Sequence, residues 1–190
     1  MIDRIKLIQI LIENLKINHF PVNEEFKYIG TGNPFSDILI VGKEASILMS
    51  SHPKQYKDEI INNLMSWSNL ADYDGKTIPY RDFNKFNPLY PYKGQILRKD
   101  NGNNFGTSAT WINYQKLLNY IYNNTDNKEI NFHENSFITE VNSTPSRKTS
   151  NAITDSISFR KEHILSSDFF DSFPIVVLSG VGYFNVTLRS

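Results

Sequence analysis

The chain of 190 residues has 20 basic and 20 acidic side chains, so its formal net charge is zero. This balance excludes the strong overall positive field of proteins that grip duplex nucleic acid mainly through phosphates, although a local basic patch stays compatible with it. The absence of cysteine excludes disulfides, thiolate nucleophiles and cysteine-based zinc sites. With 39% hydrophobic residues, the length suits one sizeable core, and we expect a single domain over residues 1–190.

The N-terminal segment is predicted to be an amphipathic helix. Apolar residues recur at helical spacing from Ile5 to Leu15, and Asn18 and Pro21 mark the end of the pattern. Charged residues lie among the apolar ones, so the segment resembles neither a signal peptide nor a membrane span. We therefore expect a cytoplasmic protein without a membrane partner.

A buried strand is predicted over residues 38–41, where four β-branched or leucine residues precede a glycine and a polar loop. Ligands of open α/β sheets bind outside the carboxyl ends of parallel strands, so this loop is the first candidate site wall. The expected substrate-binding residues here are Gly42, Lys43 and Ser46. A helix over about residues 56–68 is expected to return the chain across the sheet.

Residues 71–106 are rich in proline, glycine and aromatic residues and show little sustained periodicity. We interpret them as a long ordered insertion, because structureless connections longer than about 12–15 residues are uncommon in compact domains and are often functional. Two roles stay open. The insertion could be a lid packed over the core, or residues 80–92 could form a tyrosine-rich recognition surface.

Two further strands are predicted, over residues 136–141 and 175–178, with helices over about residues 111–121 and 157–165. The loop after residue 141 is the second candidate site wall. Its expected substrate-binding residues are Asn142, Ser143, Arg147 and Lys148. The two basic residues suit phosphate through charge-assisted hydrogen bonds, whereas a solvated surface loop explains them equally well.

The order of these motifs resembles the uracil-DNA glycosylase superfamily. The shared features, within about residues 28–184, are a strand with a glycine-led loop, a Phe-Ile-Thr strand with a Pro-Ser-Arg loop, and a Pro-Ile-Val-Val-Leu-Ser-Gly strand. The resemblance implies an α/β fold, a three-layer α/β/α sandwich around a mostly parallel sheet of about four strands. It also implies a pocket for an extruded base, with DNA or a nucleobase-containing ligand as the partner and no cofactor or metal.

The resemblance also implies catalytic roles for Glu44 and Glu140. Glu44 lies close to the family position that directs the hydrolytic water, although the proline of that loop is missing. Glu140 stands where the family has the asparagine that reads the base. Because an ionised carboxylate accepts hydrogen bonds and donates none, we expect Glu140 to suit an amino or imino group such as cytosine N4 better than uracil. The implied reaction is hydrolysis of an N-glycosidic bond.

Structural roles compete with these functional ones. Glu44 would also suit the first turn of a helix, where a negative charge is favourable. Glu140 would also suit a pairing with Lys43, Arg147 or Lys148, because a buried carboxylate needs a partner.

The family's last motif, a His-Pro-Ser loop, has no counterpart after the third strand. The alternative function is therefore a catalytically inactive binding module that recognises a protein or a small ligand through residues 80–92. A hydrolase that uses Ser46 or Ser179 is a weaker option, because the Gly-x-Ser-x-Gly elbow is missing. The four histidines show no metal-ligand spacing, so we expect no metal site.

Overall fold

The computed structural model describes residues 3–44, 47, 49–70, 86–91, 109–125, 130–145 and 154–179. These residues form one four-stranded, mostly parallel sheet and six α-helices, which confirms the expected α/β class and strand number. The strands are β1 (Thr31–Gly32), β2 (Ile38–Glu44), β3 (Phe137–Asn142) and β4 (Ile175–Leu178). The helices are α1 (Arg4–Ile17), α2 (Pro53–Tyr56), α3 (Asn63–Ser68), α4 (Ala109–Ile121), α5 (Thr154–His163) and α6 (Asp168–Asp171).

The strands lie in the order β1-β3-β2-β4, and β2 runs parallel to both β3 and β4. The three predicted strands are therefore confirmed, while the short antiparallel strand β1 was not predicted. Glycines explain its close approach to β3. Gly30 and Gly32 have φ angles of 147° and 99°, and a Cβ at Gly30 would lie 2.7 Å from the Phe137 ring.

The two faces of the sheet pack against different helices, because side chains alternate along each strand. One face contributes Leu39, Val41, Phe137 and Val141 to a core cluster with residues of α1, α3, α5 and α6. The other face contributes Ile38, Ile40 and Ile138 to a cluster with Tyr114 and Leu118 of α4.

Helix α1 confirms the predicted N-terminal helix. Asp3 caps it by accepting a hydrogen bond from the Lys6 main-chain N–H at 3.2 Å, which satisfies one of the free donors of the first turn. Its apolar stripe is buried, with Ile8, Leu11, Ile12 and Leu15 in the core. Over the described ranges, no helix combines the length and the apolar character that a membrane span requires.

The predicted insertion at 71–106 is described only over residues 86–91. In this short piece Leu89 is 4% exposed and joins the larger core cluster. The Pro88 carbonyl accepts a hydrogen bond from the Gly32 N–H at 2.7 Å, which ties the piece to β1. This part of the insertion therefore packs on the core, and the rest of it lies outside the described residues.

Candidate functional site

Four of the predicted site residues meet at the carboxyl edge of the sheet. The parallel register of β2 and β3 pairs Gly42 with Glu140 and Glu44 with Asn142. Because alternate residues of a strand share a face, all four lie on the face that also carries Ile40 and packs against α4. The sequence placed Gly42 and Glu44 in one loop, Asn142 in another and Glu140 near the end of a strand. The structure makes all four neighbours on adjacent strands.

Gly42 makes room for the carboxyl group of Glu140. A Cβ at position 42 would overlap Glu140 Oε2 and would lie only 2.6 Å from the Cδ atom. The carboxyl group therefore lies directly against the main chain of β2. The missing Cβ of Gly42 leaves the space that the end of the Glu140 side chain occupies.

The carboxyl group of Glu140 is short of hydrogen-bond donors. Its Oε2 atom is buried and has no hydrogen-bond partner among the residues that the structure describes. Burial raises the pKa of Glu140 to about 8, the positive charge of Arg160 opposes this rise, and the neighbouring Glu44 adds to it. At neutral pH Glu140 is therefore mostly a neutral acid.

Asn142 places a second unsatisfied polar atom close by on the same strand. Its side chain is fully buried, and its Oδ1 atom accepts a hydrogen bond from the Thr144 N–H at 3.1 Å. Its Nδ2 atom has no partner within the described part of the chain. Residues 140 and 142 thus present an unbonded carboxyl oxygen and an unbonded amide N–H₂ group on one face of β3.

Tyr114 and Ser179 close the side of the site that β4 and α4 form. The Tyr114 hydroxyl lies 2.9 Å from Ser179 Oγ, and Ser179 Oγ in turn donates to the Val41 carbonyl at 3.2 Å. Burial and the charge of Glu140 raise the pKa of Tyr114 to about 12, so its hydroxyl stays protonated. Both of these contacts of Ser179 are structural, and neither supplies the base that an activated serine nucleophile needs.

Arg160 lies on the opposite face of β3 and was not identified as important from the sequence. This α5 side chain is completely buried. Its Nε atom donates to the Glu140 carbonyl at 3.0 Å, and Nη2 donates to Thr139 Oγ1 at 3.0 Å. Its Nη1 atom donates to the carbonyls of Phe26, at 3.2 Å, and Tyr28. Burial lowers the pKa of Arg160 to about 10, so the guanidinium stays charged at neutral pH.

The remaining predicted site residues are placed differently. Ser143 is fully buried, and its hydroxyl lies 3.3 Å from the Ser156 hydroxyl of α5. Lys43 follows Gly42 on β2 and therefore lies on the opposite face of the sheet. Ser46, Arg147 and Lys148 lie outside the described residues. The expected pairing of Glu140 with Arg147 or Lys148 thus stays a prediction. Among the described residues, Arg160 carries the positive charge that opposes the rise in the pKa of Glu140.

The chemistry available at this edge is proton transfer and hydrogen bonding. Within the described ranges, no three His, Asp or Glu side chains are grouped in a way that could hold a metal ion. No family model, no curated protein sequence and no solved structure matches the chain. The arrangement of Gly42, Glu44, Glu140 and Asn142 is therefore the basis for a functional proposal.

Proposed function

We propose that the carboxyl edge of the sheet binds a nucleobase or a nucleobase-containing ligand, in a three-layer α/β/α fold similar to that of the uracil-DNA glycosylases. The observation that carries the proposal is the pair of buried atoms Glu140 Oε2 and Asn142 Nδ2, which lack partners in the described part of the chain. Buried polar atoms are nearly always hydrogen-bonded in folded proteins, so a ligand is a natural source of the missing bonds. Nucleobase edges offer neighbouring donors and acceptors of this kind.

The position of Glu44 supports a hydrolytic step on such a ligand. Glu44 is only partly buried, so water can reach it, and it is the register partner of Asn142. In the proposed step the water oxygen attacks the anomeric carbon while Glu44 accepts a proton from that water. The C–N bond breaks, the base leaves with the bonding electron pair, and Glu140 and Asn142 hold the departing base.

The experiment that tests this function measures both binding and cleavage. Base release is assayed on single- and double-stranded DNA that carries uracil, other deaminated bases or alkylated bases. Binding of the free bases is followed in parallel by ligand-observed NMR. We expect Glu140→Ala to lose binding and release, and Glu44→Gln to bind the base while losing release.

The matched control is Glu162→Gln, which changes an α5 glutamate whose side chain is 74% exposed. It should behave like the unchanged chain, because it lies in solvent and forms no part of the site. Binding without release in the unchanged chain would favour the inactive binding module over the enzyme. If no base binds and none is released, the proposed function is wrong.

A further inference from the structure

The two oxygens of the Glu140 carboxyl group have different surroundings. Oε2 is buried, has no hydrogen-bond partner among the described residues and lies directly against the main chain at Gly42. Oε1 is not among the buried atoms without a partner, and the residue as a whole is partly exposed at the edge of the sheet. A negative charge on Oε2 would be unsatisfied, whereas a neutral carbonyl oxygen costs less to bury there. The surroundings therefore favour a protonated group that carries its hydrogen on Oε1.

The charged and titratable groups around Glu140 keep a proton on it at neutral pH. Arg160, on α5, donates its hydrogen bonds to a hydroxyl and to main-chain carbonyls, so it acts on the Glu140 side chain only through its charge. Burial outweighs this charge in the pKa of Glu140, and Glu44, on β2, is a like charge. Tyr114, on α4, and Tyr28, before β1, are phenols whose pKa values are raised by burial, so neither supplies a positive charge.

Glu44 lies on the same face of the sheet in a more open position. It is partly exposed at the end of β2, two residues after the register partner of Glu140. From the usual strand spacing and rise, the main chains at Glu44 and Glu140 lie about 8 Å apart. Inverting glycoside hydrolases hold their acid and their base at a similar separation, about 6.5–9.5 Å between carboxyl groups, which leaves room for a water molecule. Two carboxyl groups in such different surroundings are suited to divide the roles of acid and base.

We infer that Glu140 is a catalytic residue, the general acid that donates its proton from Oε1 to the departing base. The inference rests on the proposed function and deepens it, because a group that only holds the base transfers no proton. The water oxygen forms a bond to the anomeric carbon and gives one proton to Glu44. The C–N bond breaks, its electron pair goes to the base, and the base takes the proton of Glu140 and leaves as a neutral molecule. Glu44 then returns its proton to water, and Glu140 takes one up.

A general acid matters only for a base that needs a proton to leave. Uracil and hypoxanthine leave DNA as anions unless they are protonated. 7-Methylguanine already carries a positive charge in DNA and leaves as a neutral molecule. Removal of the acid should therefore slow the release of uracil and hypoxanthine and spare the release of 7-methylguanine. A residue that only supports the fold would affect all three bases alike.

Glu140→Gln is the variant that tests the inference, because its amide keeps the size of the acid and a hydrogen-bond donor but transfers no proton. Single-turnover release is measured at neutral pH from single-stranded oligonucleotides that differ only in carrying uracil, hypoxanthine or 7-methylguanine. We expect the variant to release uracil and hypoxanthine about 10²–10⁴-fold more slowly, with less than about threefold change for 7-methylguanine and for the Kd of each oligonucleotide. Glu162→Gln is again the surface control.

The pH dependence of release is a second measurement, and it decides the case in which 7-methylguanine is not released. Release of uracil or hypoxanthine by the unchanged chain should fall about tenfold per pH unit above about pH 8, because Glu140 loses its proton there. The variant should lack this fall. Ionisation of the base and of Glu59, whose pKa burial raises to about 7, is present with both proteins and is thereby controlled.

Equal losses for all three bases, or the same pH profile in both proteins, would overturn the inference and leave the proposed function standing. Release of 7-methylguanine alone, or binding of a base without any release, would also overturn it, because no acid is then used. If no base binds and none is released, the proposed function fails together with the inference.

Discussion

The two faces of β3 differ in whether their buried polar atoms are hydrogen-bonded. On one face, the Arg160 guanidinium is bonded to Thr139 Oγ1 and to three main-chain carbonyls, and Thr139 Oγ1 donates to the Ile29 carbonyl at 2.7 Å. On the other face, Glu140 Oε2 and Asn142 Nδ2 have no partner in the described part of the chain. The first face holds the fold together, whereas the second is built at a cost to stability, as expected of a binding site.

The largest effect on stability should come from the face of β3 that contacts Arg160. Arg160→Met leaves the carbonyls of Phe26, Tyr28 and Glu140 without their donor, so we expect a loss of about 3–5 kcal/mol in the free energy of unfolding. Urea denaturation followed by circular dichroism measures it. Lys116→Met, on the exposed surface of α4, is the control and should change stability by less than about 0.5 kcal/mol. Equal effects of the two variants would contradict a structural role for Arg160.

The second effect concerns pH. The folded chain raises the pKa of Glu140 to about 8, so the folded state holds this proton more tightly than the unfolded state does. Stability from this group is complete at low pH and is lost as the pH rises towards 8. Between about pH 6 and about pH 8 the loss is about 2–3 kcal/mol.

Glu140→Gln cannot ionise and should remove this part of the pH dependence. The check is the free energy of unfolding of both proteins at three pH values, with the advantage of the variant growing as the pH rises. An advantage that shrinks with pH would mean that Glu140 is stabilised as an anion.

A third effect concerns the contact between Gly42 and Glu140. Gly42→Ala should force the carboxyl group of Glu140 away, and because the end of a flexible side chain can move, we expect a cost of about 1 kcal/mol, at the low end of overpacking effects. In the double variant Gly42→Ala, Glu140→Ala the clash disappears. The double variant should therefore lose less stability than the sum of the losses in the two single variants. Thermal unfolding of all four proteins gives this coupling. Strict additivity would show that the two residues do not touch.

The smallest effect should come from the hydroxyl pair beside the site. Tyr114→Phe removes the hydrogen bond to Ser179 Oγ, and we expect a loss of about 1 kcal/mol. Tyr120→Phe is the matched control, because Tyr120 is 81% exposed on the same helix. Chemical denaturation of the two variants compares them directly. A loss in the control as large as that in Tyr114→Phe would contradict the assigned contact.

The regular elements were predictable because their signals are local. Helix periodicity identified α1, and apolar runs bounded by turn residues identified β2, β3 and β4. The two-residue strand β1 was not identified, because it depends on how closely Gly30 and Gly32 approach β3. A local sequence pattern does not predict such a tertiary contact.

The site was predictable in part for the same reason. Gly42 and Asn142 follow apolar strands, and this local signal identified them, whereas the roles of Glu44 and Glu140 were inferred from the family resemblance. Their meeting on one face depends on register, which the sequence does not state. Arg160 was overlooked although it lies three residues after Ile157 and four before Ile164, within an apolar stripe. A charged residue in such a stripe is the signal that would have identified it.

The direct contact between Gly42 and Glu140 also gives a way to recognise distant relatives. Two positions that share one small volume on adjacent parallel strands are expected to change together during evolution, with a larger residue at one compensated by a smaller residue at the other. A search profile that scores the two positions jointly would separate true relatives from chains that merely share the strand pattern.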